Sequence, residues 1–202
     1  MKKRVPNFSF KSYFPIFTFL VVAFLFSFSS FYSPKWNYDW RGIRKQVKDS
    51  ILKFDYYGSI SWDSTNQFGD RLQSYFTHRW ILDNADPHEL YHLLDYPDGT
   101  VKAIAYEGLM YNSSINKYPL LKKVLNDTLS FVSYRTGCIG SGTMLSNYVI
   151  SFVTNIDERA PTKINAPIID LTKKEKEEIL KLLDQRISRE KYYKEEFYKT
   201  IR

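Results

Sequence analysis

Two histidines and a glutamate carry the clearest chemical signal in the sequence. His88-Glu89-Leu-Tyr-His92 matches the H-E-x-x-H pattern, in which two helical histidines bind zinc and the glutamate acts as the base. Positions 88 and 92 share one face of a helix, so an i, i+4 histidine pair can chelate a metal ion. One hypothesis is therefore a zinc-dependent hydrolase or peptidase.

The sequence around this motif weighs against zinc hydrolysis. Pro87 directly precedes it, which places it in the first turn of a helix. Asp86-Pro-His-Glu89 is also a capping box, which gives the glutamate a structural role. An extended zinc motif would have Gly and His where this chain has Asp95 and Asp98. We therefore predict no catalytic residue, no bound metal and no cofactor.

Cys138 is the single cysteine, which excludes an internal disulfide framework and a multi-cysteine zinc site. A nucleophilic cysteine needs a base beside it, and the three histidines all lie far upstream in the sequence, which leaves only contacts made by folding to supply one. Cys138 is expected as a small buried residue in a tight turn. The surrounding glycines lack the following Lys-Ser/Thr of a P-loop, so no phosphate-binding loop is predicted.

The elements that would position these residues are predicted to be helices. Apolar spacing, caps and turn residues predict helices over the ranges 38–54, 63–79, 86–95, 100–110, 119–125, 143–153 and 172–189. Residues 129–134 are ambiguous between helix and extended chain, and 137–142 are expected to be irregular. Because no sustained period-2 alternation occurs, we predict an all-α fold.

Residues 89–109 contain a recurring helix-pair pattern: paired leucines, a Pro-Asp turn, a Val-Lys pair, a central alanine and a closing leucine. These positions are Leu93, Leu94, Pro97, Asp98, Val101, Lys102, Ala105 and Leu109. The pattern resembles a HEAT-like repeat, clear near 87–110 and degenerate near 118–140. The resemblance implies a short α-solenoid or helical bundle, an architecture that usually binds other proteins. It also accounts for the segment that holds the two histidines.

The N-terminus has the composition of a membrane-directing segment. Lys2, Lys3, Arg4 and Lys11 precede the uncharged run 14–33. Either a cleaved signal peptide or an uncleaved transmembrane anchor with a cytoplasmic N-terminus fits this pattern. Both place the rest of the chain outside the cytoplasm, as a single-pass membrane protein or a secreted or periplasmic one. The predicted organisation is 1–33 signal or anchor, 34–159 HEAT-like helical domain, 160–171 linker and 172–202 amphipathic helix.

The net charge of +7 is unevenly distributed along the chain. Residues 1–33 contribute +4 and 172–202 contribute +3, whereas 34–171 hold 15 basic and 15 acidic side chains. An electroneutral domain has no electrostatic footprint for nucleic acid, so we predict no nucleic-acid partner. The leading functional prediction is a non-enzymatic, extracytoplasmic interaction module that binds an unidentified protein. The zinc hydrolase is the alternative.

Overall fold

The structure is a computed structural model that describes residues 14–31, 37–65, 68, 71–159 and 166–201. The chain divides into two units, residues 1–38 and residues 39–202. In the first unit, helix α1 comprises Phe14–Phe31.

The prediction of a membrane anchor over 14–33 is wrong. Within the described part of the chain, no helix is both long enough and apolar enough to cross a membrane. The predicted localisation as a single-pass membrane protein is wrong for the same reason.

The second unit contains helices and strands in mixed order. They are α2 (Lys45–Tyr57), β1 (Ile60–Ser61), α3 (Gln73–Asn84), α4 (Pro87–Leu93), α5 (Gly99–Tyr111), α6 (Lys117–Asn126), β2 (Phe131–Thr136), β3 (Ile139–Met144), α7 (Leu145–Asn147), a π-helix (Tyr148–Val153) and α8 (Lys173–Ile201).

Helix α5 is the centre of this unit. It packs against α2, α3, α4, α7, β2 and the π-helix, and ten of its residues are buried. Its N-cap is Asp98, whose carboxylate accepts hydrogen bonds from the N–H groups of Thr100 at 2.8 Å and Val101 at 3.2 Å. A helix whose residues are mostly apolar and buried belongs in a core, and α5 is such a helix.

The all-α prediction is wrong because residues 131–144 form a β-hairpin. Strands β2 and β3 pair antiparallel, and β1 pairs parallel with β2, which gives a mixed sheet in the order β1-β2-β3. A two-residue turn joins the hairpin, with Gly137 at φ +58° in its first central position. The turn, and the β-branched and aromatic residues of β2, select extended chain over the helix.

The helix pair predicted near 87–110 is present as α4 and α5, but the region near 118–140 passes from α6 into β2. The HEAT-like resemblance itself stays a prediction.

Helix α2 begins at Lys45 and α3 at Gln73, later than predicted. The Thr172–Glu175 capping box is confirmed by Glu175 N–H donating to Thr172 Oγ1 at 3.3 Å and Thr172 N–H donating to Glu175 Oε2 at 2.8 Å. Half of the predicted linker, residues 160–165, lies outside the described residues.

Candidate functional site

The first turn of α4 is closed by a capping box. Glu89 N–H donates to Asp86 Oδ1 at 2.9 Å, and Asp86 N–H donates to Glu89 Oε2 at 3.0 Å. Pro87 occupies the first helical position, where an N–H group would have no partner within the helix. The predicted capping box is confirmed, and the H-E-x-x-H motif begins inside it.

Arg44 binds the same Glu89 carboxylate from the segment before α2. Its backbone N–H and its Nε donate to Glu89 Oε1 at 2.8 Å and 3.0 Å, and its Nη2 donates to Oε2 at 2.6 Å. Burial alone would raise the pKa of Glu89, but the hydrogen bonds from Arg44 and the Asp86 N–H outweigh it and lower the pKa to about 2. Such a carboxylate is a poor base near neutral pH. Glu89 is therefore a structural residue in this geometry.

His88 and His92 lie side by side on α4, with ring centroids 5.3 Å apart. Both approach Gly42, which adopts φ +81° in the turn before α2. A Cβ placed on Gly42 would lie 3.1 Å from His88 Cε1 and 3.8 Å from both His88 Nδ1 and His92 Nε2. The structure thus places the two histidines of the H-E-x-x-H motif together beside this turn.

A third ligand for a catalytic zinc does not join them. Across the residues that the structure describes, no group of three or more His, Cys, Asp or Glu side chains is arranged to hold a metal ion. The Asp39 carboxylate interacts electrostatically with His92, but Arg41 binds it through Nε at 3.0 Å and 2.9 Å and through Nη2 at 2.7 Å. Zinc hydrolases of this class use three protein ligands and one water, and this arrangement falls short of that set.

A second histidine–glutamate pair, which sequence analysis did not single out, lies in the core. His78 Nε2 and Glu107 Oε2 are 3.1 Å apart, and both side chains are buried between α3 and α5. The Trp62 Nε1–H donates to the Tyr148 hydroxyl at 3.4 Å. Burial, followed by the charge of Glu107, raises the pKa of Tyr148 well above its ordinary value. His78, Glu107 and Tyr148 are all buried between α3, α5 and the π-helix, away from the solvent.

Ser130, Asp127 and Lys102 form a third constellation, at the turn between α6 and β2. Ser130 Oγ donates to Asp127 Oδ2 at 2.7 Å, and Lys102 Nζ donates to both of them at 2.9 Å. Burial would raise the pKa of Asp127, but hydrogen bonds from Ser130 and Lys102 lower it to about 2. A serine nucleophile needs a nearby base, and a carboxylate with so low a pKa is a poor one. The three side chains instead connect α5 to this turn through hydrogen bonds.

Strand β3 is an edge of the sheet and exposes its backbone. The Trp62 N–H donates to the Arg135 carbonyl at 3.2 Å, so the Arg135 backbone faces β1. Its partner across the hairpin is Gly140. Since hydrogen-bonded and non-hydrogen-bonded pairs alternate in an antiparallel ladder, Gly140 and Gly142 direct their N–H and C=O groups away from β2.

Cys138 occupies the second position of the hairpin turn and is exposed, so the expectation of a buried residue is wrong. The glycine-rich segment around it forms β3 rather than a phosphate-binding loop. A two-residue turn that begins with glycine, directly after the run Phe131–Thr136 with its β-branched and aromatic residues, is the sequence signal that could have found the hairpin.

Comparison with known proteins finds no matching family model, no matching curated protein and no matching solved structure. The function of this chain is therefore argued from its own residues.

Proposed function

We propose that this chain is a non-catalytic interaction module that binds an extended segment of another protein along β3. The observation that carries the proposal is the open edge of the sheet, at which Gly140 and Gly142 present backbone donors and acceptors outward. Addition of a strand to such an edge is a common mode of peptide recognition, in which main-chain hydrogen bonds provide affinity.

The β3 edge has few of the features that normally protect an edge from pairing. Its sequence, Ile-Gly-Ser-Gly-Thr-Met, contains no charge and no proline, and its first four residues are exposed. Natural edge strands are usually blunted by lysine, proline, a bulge or a covering element. An unprotected, uncharged edge supports a binding role.

Large apolar side chains near this strand add to the argument. Leu129 is 92% exposed, Ile139 67% and Phe131 52%. Exposed apolar groups beside a polar backbone edge are typical of surfaces that bind other proteins. They favour a partner segment that is itself apolar.

The hairpin is held from behind by aromatic packing. Trp62 stacks on Tyr134 with ring centroids 5.3 Å apart, and Tyr134 also contacts Tyr148 at 5.9 Å and Phe152 at 5.6 Å. This cluster fixes β2 against the π-helix, so β3 is presented on a rigid support. A preorganised edge loses less conformational entropy when a strand pairs with it.

The two outward glycines differ in the space above them, which indicates how a partner side chain would lie. A Cβ on Gly142 would lie 2.2 Å from Phe131 Cε1, whereas a Cβ on Gly140 would meet no atom within 4 Å. A partner strand can therefore place a large side chain over Gly140. The proposed partner is therefore an uncharged, extended segment that places an aromatic or branched apolar residue over Gly140.

The matched substitutions Gly140→Pro and Gly140→Ala test this proposal. Proline removes the outward N–H and leaves the β2–β3 ladder intact, whereas alanine keeps the N–H and adds a methyl group in open space. A displayed library of random 12-residue peptides is selected against the wild-type chain, and selected peptides are titrated against both variants.

The proposal expects uncharged, β-prone peptides that bind wild type and Gly140→Ala alike and bind Gly140→Pro at least tenfold more weakly. The Gly140 and Gly142 amides should exchange fast in the free protein and become protected by the peptide. Equal binding to Gly140→Pro would refute the proposal. So would a concentration-dependent dimer that Gly140→Pro abolishes, because it would assign the edge to a second copy of the chain.

A further inference from the structure

The His88–His92 pair has the geometry of a two-imidazole metal ligand set. The two residues are four apart on α4, and their rings lie 5.3 Å apart, centroid to centroid. Neighbouring imidazoles on successive helical turns can bind one metal ion together. His78, the third histidine of the chain, is buried against Glu107 and is not part of this pair.

The turn at Gly42 directs both rings to one place. His88 Nδ1 and His92 Nε2 are each 3.8 Å from the position that a Gly42 Cβ would occupy. Gly42 has φ +81°, a left-handed conformation that glycine adopts without steric cost. A side chain at position 42 would therefore contact both rings, including both of these nitrogens.

The Arg44–Glu89 ion pair connects the Gly42 turn to helix α4. Arg44 follows the Gly42 turn, Glu89 lies between the histidines in sequence, and three hydrogen bonds join them. Because the Glu89 side chain is buried, this connection restrains α4 relative to the turn. Ligand positions that are fixed in advance favour metal binding.

We propose that His88 and His92, beside Gly42, form a binding site for a divalent transition-metal ion, with water in the remaining coordination positions. Imidazole nitrogens suit Zn²⁺, Ni²⁺, Co²⁺ and Cu²⁺ and do not suit Mg²⁺ or Ca²⁺. The site binds metal without hydrolysis, since Glu89 is occupied by Arg44 and the capping box. This proposal is independent of the β3 edge.

The experiment is titration of the full chain, untagged, with Zn²⁺, Ni²⁺ and Mg²⁺ by isothermal calorimetry. Co²⁺ absorption provides a separate signature of nitrogen coordination. The variants are His88→Ala, His92→Ala and Gly42→Ala, and the matched control is Tyr91→Ala, an exposed residue of the same helix. Far-UV circular dichroism of each variant reports whether it is folded.

We expect about one Zn²⁺ or Ni²⁺ per chain, at least tenfold weaker binding in each histidine variant, and no change in Tyr91→Ala. Gly42→Ala should weaken binding although both ligands remain. Mg²⁺ should not bind. The proposal fails if the folded wild-type chain binds no Zn²⁺ up to about 1 mM, or if a folded His88→Ala, His92→Ala double variant binds as wild type does.

Discussion

Replacement of Glu89 by glutamine separates a structural role from a catalytic one. The change keeps the shape of the side chain and removes its charge, so Arg44 loses its ionic partner and the capping box loses its carboxylate. A zinc hydrolase would lose activity and retain its stability. The geometry predicts instead that Glu89→Gln lowers the stability of the folded protein.

The magnitude follows from the contacts of Glu89. The shift of its pKa from 4.5 to about 2 corresponds to at most about 3.5 kcal/mol. Arg44 is 56% exposed and can recover water when its partner is neutral, and glutamine still caps a helix. We therefore expect a loss of about 2 kcal/mol, which lowers the Tm of a domain of this size by about 4–8 °C.

The contribution of Glu89 to the free energy of unfolding depends on pH, and it decreases in acid. Since the pKa of Glu89 is lower in the folded state, its contribution is fully present above about pH 4.5 and is lost as the pH falls toward 2. The stability gap between wild type and Glu89→Gln should therefore be largest at neutral pH and smaller at about pH 3.5.

Urea unfolding at both pH values measures this gap. Asp49→Asn is the control, because it removes an exposed i, i+4 pair with Lys45 and should cost less than about 0.5 kcal/mol. The reasoning is refuted if Glu89→Gln matches wild type at neutral pH, or if the gap widens in acid.

Two further substitutions test the packing around α5. Gly99→Ala should cost at least about 2 kcal/mol by urea unfolding, because the new Cβ would lie 2.3 Å from the Phe131 carbonyl oxygen; a neutral result would contradict the close approach of α5 and β2. Glu107→Gln should couple to His78→Phe by more than about 1 kcal/mol in a double-mutant cycle, because the pair is buried. Additive effects would show that the two side chains do not interact.

The sequence predicted those elements whose signals are local. The α4 and α8 capping boxes and the α5 start depend on residues within one turn, and each was placed correctly. The α3 start was predicted too early, at residue 63, whereas the helix begins at Gln73. Apolar spacing alone does not tell where a helix begins when its first turn has no side-chain cap.

The hairpin was missed because half of it lacks the usual strand residues. Strand β3 contains Gly140 and Gly142, which depress strand propensity and suggested irregular chain. Its pairing with β2 is stabilised from the other side, where Tyr134 meets Trp62, about seventy positions earlier in the chain. Propensity within a short window does not contain that contact.

The histidine motif was found in the sequence, but its contacts with distant residues were not. Its spacing was correct, and the structure places both rings together, yet the role of Glu89 depends on Arg44, which lies 45 residues away. The convergence on Gly42 likewise could not be read from the sequence, since it requires a turn with positive φ packed against α4. The residues of the motif can be identified from the sequence, whereas their contacts with Arg44 and Gly42 depend on the fold.

Glu89 is shared by the hydrolase hypothesis and the metal proposal. The hydrogen bonds that lower its pKa also fix α4 against the Gly42 turn, where His88 and His92 lie. If this is correct, Glu89→Gln should weaken Zn²⁺ binding although both histidines remain, whereas Gly140→Pro should leave Zn²⁺ binding unchanged. Retention of full affinity by a folded Glu89→Gln variant would mean that the pair binds metal without support from Arg44.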